Sequence, residues 1–140
     1  MIKRKLQVWE PIKDMGDMEL VNFNVVGKVN ITLEDKHREY SFLYDKRING
    51  NFVLACRFTH EMKKGDLVPL VVQAQQEYFV SATRPWSTYK MTNSDFIQWY
   101  DSLPGPGSND IHIEHHIFAT SDYTIEVLSE YEPKINITDK

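Results

Sequence analysis

Residues 21–33 constrain this chain more than any other stretch. Every odd position (Val21, Phe23, Val25, Gly27, Val29, Ile31 and Leu33) is apolar or glycine, and the even ones are polar apart from Val26. Period two places the odd side chains on one side of an extended backbone, which predicts one long strand with a single buried face. At ~3.3 Å per residue it would span roughly 43 Å, longer than ordinary globular strands. A strand of that length is expected to bend, and Gly27 is where no side chain obstructs the bend.

The rest of the chain continues in the same manner. Lys5–Glu10 reads as a short strand ended by Pro11, followed by a loop containing Gly16. Arg38–Lys46 and Asn51–Thr59 read as two strands joined by Asn49-Gly50, a pair suited to a turn with positive φ at both central residues. A fourth strand is expected from Gly65-Asp66 through Gln73, with Pro69 placing it at an edge, and a fifth over Glu77–Thr83. A helix follows over residues 92–103, capped by Thr92 or Ser94. Phe96, Trp99, Tyr100 and Leu103 form its apolar stripe, and Pro104-Gly105-Pro106-Gly107 stops it. Ile111–Ala119 and Tyr123–Tyr131 alternate around Thr120-Ser121-Asp122 as a hairpin, and residues 132–140 look loose. The expectation is one domain over residues 1–140, mainly β (all-β or α+β). It would be a barrel or sandwich of about seven strands with one α-helix in the C-terminal half.

Composition narrows the classes. The chain has 140 residues, a net charge of −4 and one cysteine. Cys56 has no intramolecular disulfide partner, and the basic start Met1–Lys5 lacks the apolar run of a signal peptide. Together these predict a cytoplasmic protein in a reducing compartment, so that the sequons at Asn30 and Asn136 are chance matches. No apolar run approaches the length of a membrane span. Charge is uneven: residues 1–90 hold 14 Lys/Arg and 11 Asp/Glu, whereas residues 91–140 hold 2 and 9. Such asymmetry suits a basic working face with an acidic appendage.

A two-residue loop at Asn49-Gly50 would pair Tyr44 with Ala55, Phe42 with Arg57 and Tyr40 with Thr59. Paired residues share a face. One face would then be plain core (Leu43, Phe52, Leu54, Cys56, Phe58). The other would present Tyr40, Phe42, Tyr44, Lys46 and Arg57. Rings beside cations are what unpaired bases need, because rings stack on bases and cations hold phosphates. The competing reading is that a second layer covers this face and makes the same rings core.

Over residues 20–84 the pattern resembles an OB-fold of the single-stranded-DNA-binding type. The resemblance rests on the long first strand around Val25-Val26-Gly27-Lys28-Val29, on the aromatic hairpin, and on Lys63-Lys64-Gly65-Asp66-Leu67-Val68. The last is similar to the lysine-glycine turn that leads into the fourth strand of such proteins. The resemblance implies a five-strand core binding single-stranded nucleic acid on strands two and three, through Tyr40, Phe42, Tyr44 and Arg57. Strand four departs from that pattern at Pro69, and the C-terminus lacks the acidic-aromatic tail of bacterial members.

Two further readings come from the C-terminal part. Asp95, Asp101, Asp110, Glu114, Asp122, Glu126, Glu130 and Glu132 would give an acidic surface for a partner protein. The chain would then be an inhibitor or adaptor of an enzyme, including one that imitates nucleic acid. His112, Glu114 and His116 would share a strand face at i, i+2 and i+4, a donor set for zinc, iron or manganese. In a β-barrel that would resemble a cupin, although no later histidine completes the cupin pattern. Tyr131-Glu132-Pro133-Lys134 matches the tyrosine-x-x-lysine of rolling-circle nickases, but Pro133 opposes the helix those enzymes need. No phosphate loop, dinucleotide fingerprint, zinc-knuckle pair or nucleophile elbow is present. The sequence therefore predicts a non-enzymatic binding module without a cofactor. Its partner would be single-stranded nucleic acid or a protein, with self-association left open.

Overall fold

The computed structural model describes residues 3–12, 18–48, 50–79 and 86–140. Nine strands lie among them: β1 (Lys5–Val8), β2 (Glu19–Asn24), β3 (Val29–Glu34), β4 (Arg38–Tyr44), β5 (Ala55–His60), β6 (Thr88–Thr92), β7 (Glu114–Ala119), β8 (Tyr123–Ser129) and β9 (Lys134–Asp139). Two α-helices, α1 (Val68–Phe79) and α2 (Asp95–Asp101), accompany them. The strands form two antiparallel sheets, ordered β1-β6-β7-β8-β5 and β2-β3-β4-β9. The chain is mainly β, as expected, but the described strands form two separate sheets and no closed barrel.

The five-stranded sheet is the middle layer. One face meets the four-stranded sheet: Phe118 packs edge-on against Phe42 at 5.0 Å, and Trp9 lies 5.7 Å from Phe118. The other face carries the helices. Gln75 of α1 donates to the Tyr89 hydroxyl at 2.8 Å, and Phe96 of α2 packs edge-on against His115. Coverage on both sides explains why β7 and β8 are buried along almost their whole length. Strands enclosed this way lose the apolar-polar alternation of a half-exposed strand. No helix among the described residues is long and apolar enough to cross a membrane.

Several expectations change, each for a local reason. The long strand over 21–33 is a hairpin of β2 and β3. Asn24 Oδ1 accepts the Val26 N–H at 2.9 Å, and Gly27 sits at φ +77°, so Asn24 and Gly27 make a turn rather than a bend. Val26 is left 87% exposed at its tip. A bulge between Leu20 and Asn22 shifts the alternation, so Leu20 faces Leu33 while Phe23 faces Ile31.

The fourth strand expected through Gln73 is a short 3-10 turn, Gly65–Leu67, followed by α1. Pro69 lies in the first helical turn, where its missing N–H costs nothing. Leu67, Val71 and Ala74 recur at helical spacing on the buried side. The fifth strand falls partly on α1, and its residues 80–83 lie outside the described residues, as do Gly16, Asn49, Arg84 and Pro85. The supposedly loose tail contains β9, which pairs with β4 from Arg38↔Asp139 to Leu43↔Lys134. Its alternating Ile135 and Ile137 were the signal that polar composition obscured.

The Asn49-Gly50 register is overturned. Ile48 and Asn51 do exchange backbone hydrogen bonds, at 2.9 and 3.0 Å. The ladder goes no further, because β4 pairs with β3 and β9 whereas β5 crosses to β8 in the other sheet. The Tyr131 hydroxyl pins this crossover, lying 2.7 Å from the carbonyl oxygens of both Lys46 and Phe52. Tyr40, Phe42 and Tyr44 consequently face inward and are fully buried. Each is worth ~1.5–3 kcal/mol as core, and none presents a ring to a base.

Candidate functional site

The residues singled out for chemistry converge on β7, and they do so on both of its faces. His115 and His116 are adjacent, so one points to the helices and the other to the four-stranded sheet. Both are buried, and each imidazole lies between a hydroxyl and a carboxylate.

On the helix side, Ser94 Oγ is 2.7 Å from His115 Nδ1, and His115 Nε2 is 2.9 Å from Glu126 Oε1. Arg57 donates to both Glu126 oxygens at 2.7 Å. Burial pushes the Glu126 carboxyl up, but the bonds from His115 and Arg57 outweigh it and hold the group at about 2. Glu126 is fully buried and is therefore a correction to the acidic surface set. Arg57 is likewise occupied, and its guanidinium rests 4.3 Å from the centroid of the Phe96 ring. Neither it nor the three enclosed rings is placed to hold a nucleic-acid strand. Lys46 is exposed, with its Nζ 5.9 Å from the centroid of the Tyr131 ring.

On the other side, Tyr44 and His116 Nδ1 are 2.7 Å apart, and His116 Nε2 is 2.7 Å from Glu114 Oε1. Glu114 Oε2 continues to His112 Nε2 at 2.8 Å. Burial lowers the His116 pKa and raises that of Tyr44 well above the usual range, so a neutral imidazole accepts from a neutral phenol. The His116 bond, opposed by burial and helped by His112 and Lys90, pulls the Glu114 carboxyl far below its ordinary value. Trp9 stacks on His116 at 4.6 Å, and Lys90 reaches Glu114 at 3.3 Å and Glu132 at 2.9 Å. The three proposed metal ligands are thus together, but as a hydrogen-bond chain. Both His116 nitrogens are used by protein groups, and no cluster among the described residues is arranged to hold a metal ion.

Hydroxyl, imidazole and carboxylate in sequence form the skeleton of an acid-base relay. Here both hydroxyls are buried and engaged within the fold. Ser94 is buried, and its Oγ accepts the Ile97 N–H at 3.0 Å as the cap of α2. Tyr44 is sealed in the core. Cys56 is no better placed, since burial pushes its thiol up to about 11.

What the helix-side network does is hold α2. Ser94 caps it, His115 and Phe96 pack beneath it, and Arg57 spans from Glu126 to Phe96. With Phe96 inward, the same helix turns Trp99 (51% exposed) outward, and Leu103 (41%) is exposed just after it. Asp101 accepts from the Ser108 N–H at 2.8 Å and from the Ser108 hydroxyl, and Asp110 accepts from the Gly107 N–H at 3.1 Å. These bonds fix the loop after α2 in shape. Asp95 and Asp101 on α2 and Asp110 in the loop after it are exposed. No Lys or Arg occurs between Lys90 and Lys134.

Of the other acids in the surface set, Asp122 is exposed on the β7–β8 turn and Glu130 is half-buried after β8. Sequence reading named the aromatic stripe and the acids, but took Trp99 for the buried side. Which side of α2 is buried is set by a non-local contact, that of Ser94 and Phe96 with His115. Comparison with protein families, curated proteins and solved structures finds no match to this chain.

Proposed function

We propose that this protein is a non-enzymatic module that binds a partner protein through α2 and the loop after it, as an inhibitor or adaptor. The carrying observation is a half-exposed tryptophan on a helix clamped from beneath, in a segment of 43 residues (91–133) without a single Lys or Arg. Exposed tryptophans on rigid elements are the usual anchors of protein interfaces, because little side-chain freedom is lost when they are buried. Asp101 and Asp110 would meet a basic rim on the partner and steer its approach, whereas Asp95 lies 3.6 Å from Arg4 within the fold. The single-stranded nucleic-acid reading is less supported, because Tyr40, Phe42, Tyr44 and Arg57 are spent inside the fold.

The test is affinity capture from extracts of the native cell, at about 50 mM and about 500 mM salt. The wild type is expected to recover one protein in stoichiometric amount, more weakly at the higher salt, and Trp99→Ala to lose it. Recovery of nothing, or of the same protein by Trp99→Ala, would remove the proposal. Truncation of Trp99 leaves Phe96 and the Ser94 cap in place, so loss of binding would not report loss of the helix.

A further inference from the structure

The two sheets end in four edge strands, β1 and β5 in one and β2 and β9 in the other. An unpaired edge is a template for another chain, and folded proteins blunt it with charge, proline, a bulge or a covering element. All but one of these edges are blunted. α1 packs against β1, with Lys5 Nζ 3.1 Å from Glu77. β2 is irregular between Leu20 and Asn22. β9 follows Pro133 and is charged at both ends, by Lys134 and Asp139. β5 has none of these devices. It pairs with β8 in unbroken register from Ala55↔Leu128 to His60↔Tyr123, and its one charged residue, Arg57, is bonded to Glu126.

The ladder fixes which backbone groups of β5 face outward. The Glu61 N–H donates to the Asp122 carbonyl at 2.9 Å, one step beyond the His60↔Tyr123 pair. Bonded and non-bonded pairs alternate in an antiparallel ladder, so Arg57 and Thr59 also bond to β8. Cys56, Phe58 and His60 therefore turn N–H and C=O away from it. Among the described residues, no backbone group bonds to them from that side.

The side chains of these residues share the face toward the four-stranded sheet. Phe58 stacks on Phe23 of β2 at 5.9 Å and meets Tyr123 at 4.9 Å, and His60 packs edge-on against Tyr123. Phe58 is nevertheless 51% exposed, the open end of an aromatic row.

We infer that two copies of this chain join through β5, antiparallel about a two-fold axis at Phe58. That axis pairs Phe58 with its copy and Cys56 with the copy's His60, so every outward N–H and C=O of the stretch gains a partner. An axis at Arg57 would leave His60 unpaired, and one at Thr59 would leave Cys56 unpaired. The same axis sets the two aromatic rows end to end and closes Phe58 from water. No Lys, Asp or Glu lies on β5, and Arg57 is held by Glu126, so the strand meets its copy without opposed like charges.

Sedimentation equilibrium of the full chain tests this. The wild type is expected to pass from the 16.4 kDa chain to twice that mass as concentration rises over about a thousandfold range. Amide hydrogen exchange should slow at Cys56, Phe58 and His60 in the dimer, and change less at Arg57 and Thr59. His60 sits at φ −63°, which proline adopts without strain. His60→Pro removes an outward N–H, leaves the ladder to β8 intact, and should weaken dimerisation by about tenfold or more. Phe58→Lys sets two ammonium groups face to face and should abolish it; this variant serves alone if the proline variant does not fold. A monomer at every concentration, which would leave the edge to a strand of another protein, would overturn the inference. So would a dimer indifferent to Phe58→Lys or to a folded His60→Pro, or one in which the three outward amides exchange as in the monomer.

Discussion

Glu126→Gln isolates the charge of the buried network while keeping its shape. The Glu126 carboxyl ionises at about 2 in the folded chain against an ordinary 4.5. Burial opposes this, and the bonds from His115 and Arg57 more than compensate. A carboxyl held that far down contributes about 3 kcal/mol at neutral pH. The figure agrees with the ~3–5 kcal/mol expected when one member of a buried ion pair is removed, because Arg57 is then left facing an amide.

The sign follows from the depressed value. The contribution is complete above about pH 4.5, where the unfolded carboxyl is also ionised, and is lost as the pH falls toward 2. Urea unfolding, followed by tryptophan fluorescence, should show the variant midpoint lower by about 1–3 M at pH 7 for slopes of ~1–3 kcal/mol/M. The gap should narrow steadily below about pH 4.5. Comparing the two proteins at each pH removes the parallel contribution of Glu114, which is also held low. A midpoint difference under about 0.3 M at pH 7, or one that stays constant down to about pH 3, would refute the reasoning.

Two further changes read other parts of the fold. Tyr44→Phe removes the hydroxyl on His116 Nδ1 and leaves that nitrogen unmatched in the core; urea unfolding should show a loss of about 1–3 kcal/mol. A loss below about 0.5 kcal/mol would mean that water reaches the site. Gly27→Ala meets no atom within 4 Å, so only the backbone at φ +77° resists it. Thermal unfolding should show a cost of about 1 kcal/mol, and no cost would mean that the β2–β3 turn is not held in this form.

Legibility in the sequence followed the number of covered faces. The C-terminal hairpin, the first short strand and the Ser94-capped helix were readable, because turn and cap residues mark them locally. The two stretches with the strongest apparent patterns misled for opposite reasons. Residues 21–33 alternate so well that the Asn24–Gly27 turn within them passed for strand. Residues 67–79 carry β-branched residues and a proline, which outweighed a helical spacing of Leu67, Val71 and Ala74. The aromatic face failed at a non-local step: the Asn49-Gly50 bend is in the sequence, but the departure of β5 to another sheet is not. The candidate surface was half legible. Its acids and Trp99 could be named, yet which side of α2 is buried depends on His115, Glu126 and Arg57, from three separate strands.

The two histidines also bear on how β7 finds its place. Its flanking apolar residues, Ile117 and Phe118, are both fully buried on opposite faces, so hydrophobicity alone penalises a one-residue slip weakly. The polar groups penalise it heavily. A slip would turn Glu114 toward the helices, onto the face where Glu126 is already buried, and set two carboxylates side by side. It would also withdraw the imidazole from Ser94 and leave His115 under Trp9 without a carboxylate. In the observed register every buried side-chain nitrogen and oxygen among the described residues has a hydrogen-bond partner. Because Ser94 begins α2, the register of β7 decides where that helix sits and therefore where Trp99 emerges. His115 thus seats the Ser94 cap and Phe96 of α2, while His116 ties β7 to the four-stranded sheet through Tyr44.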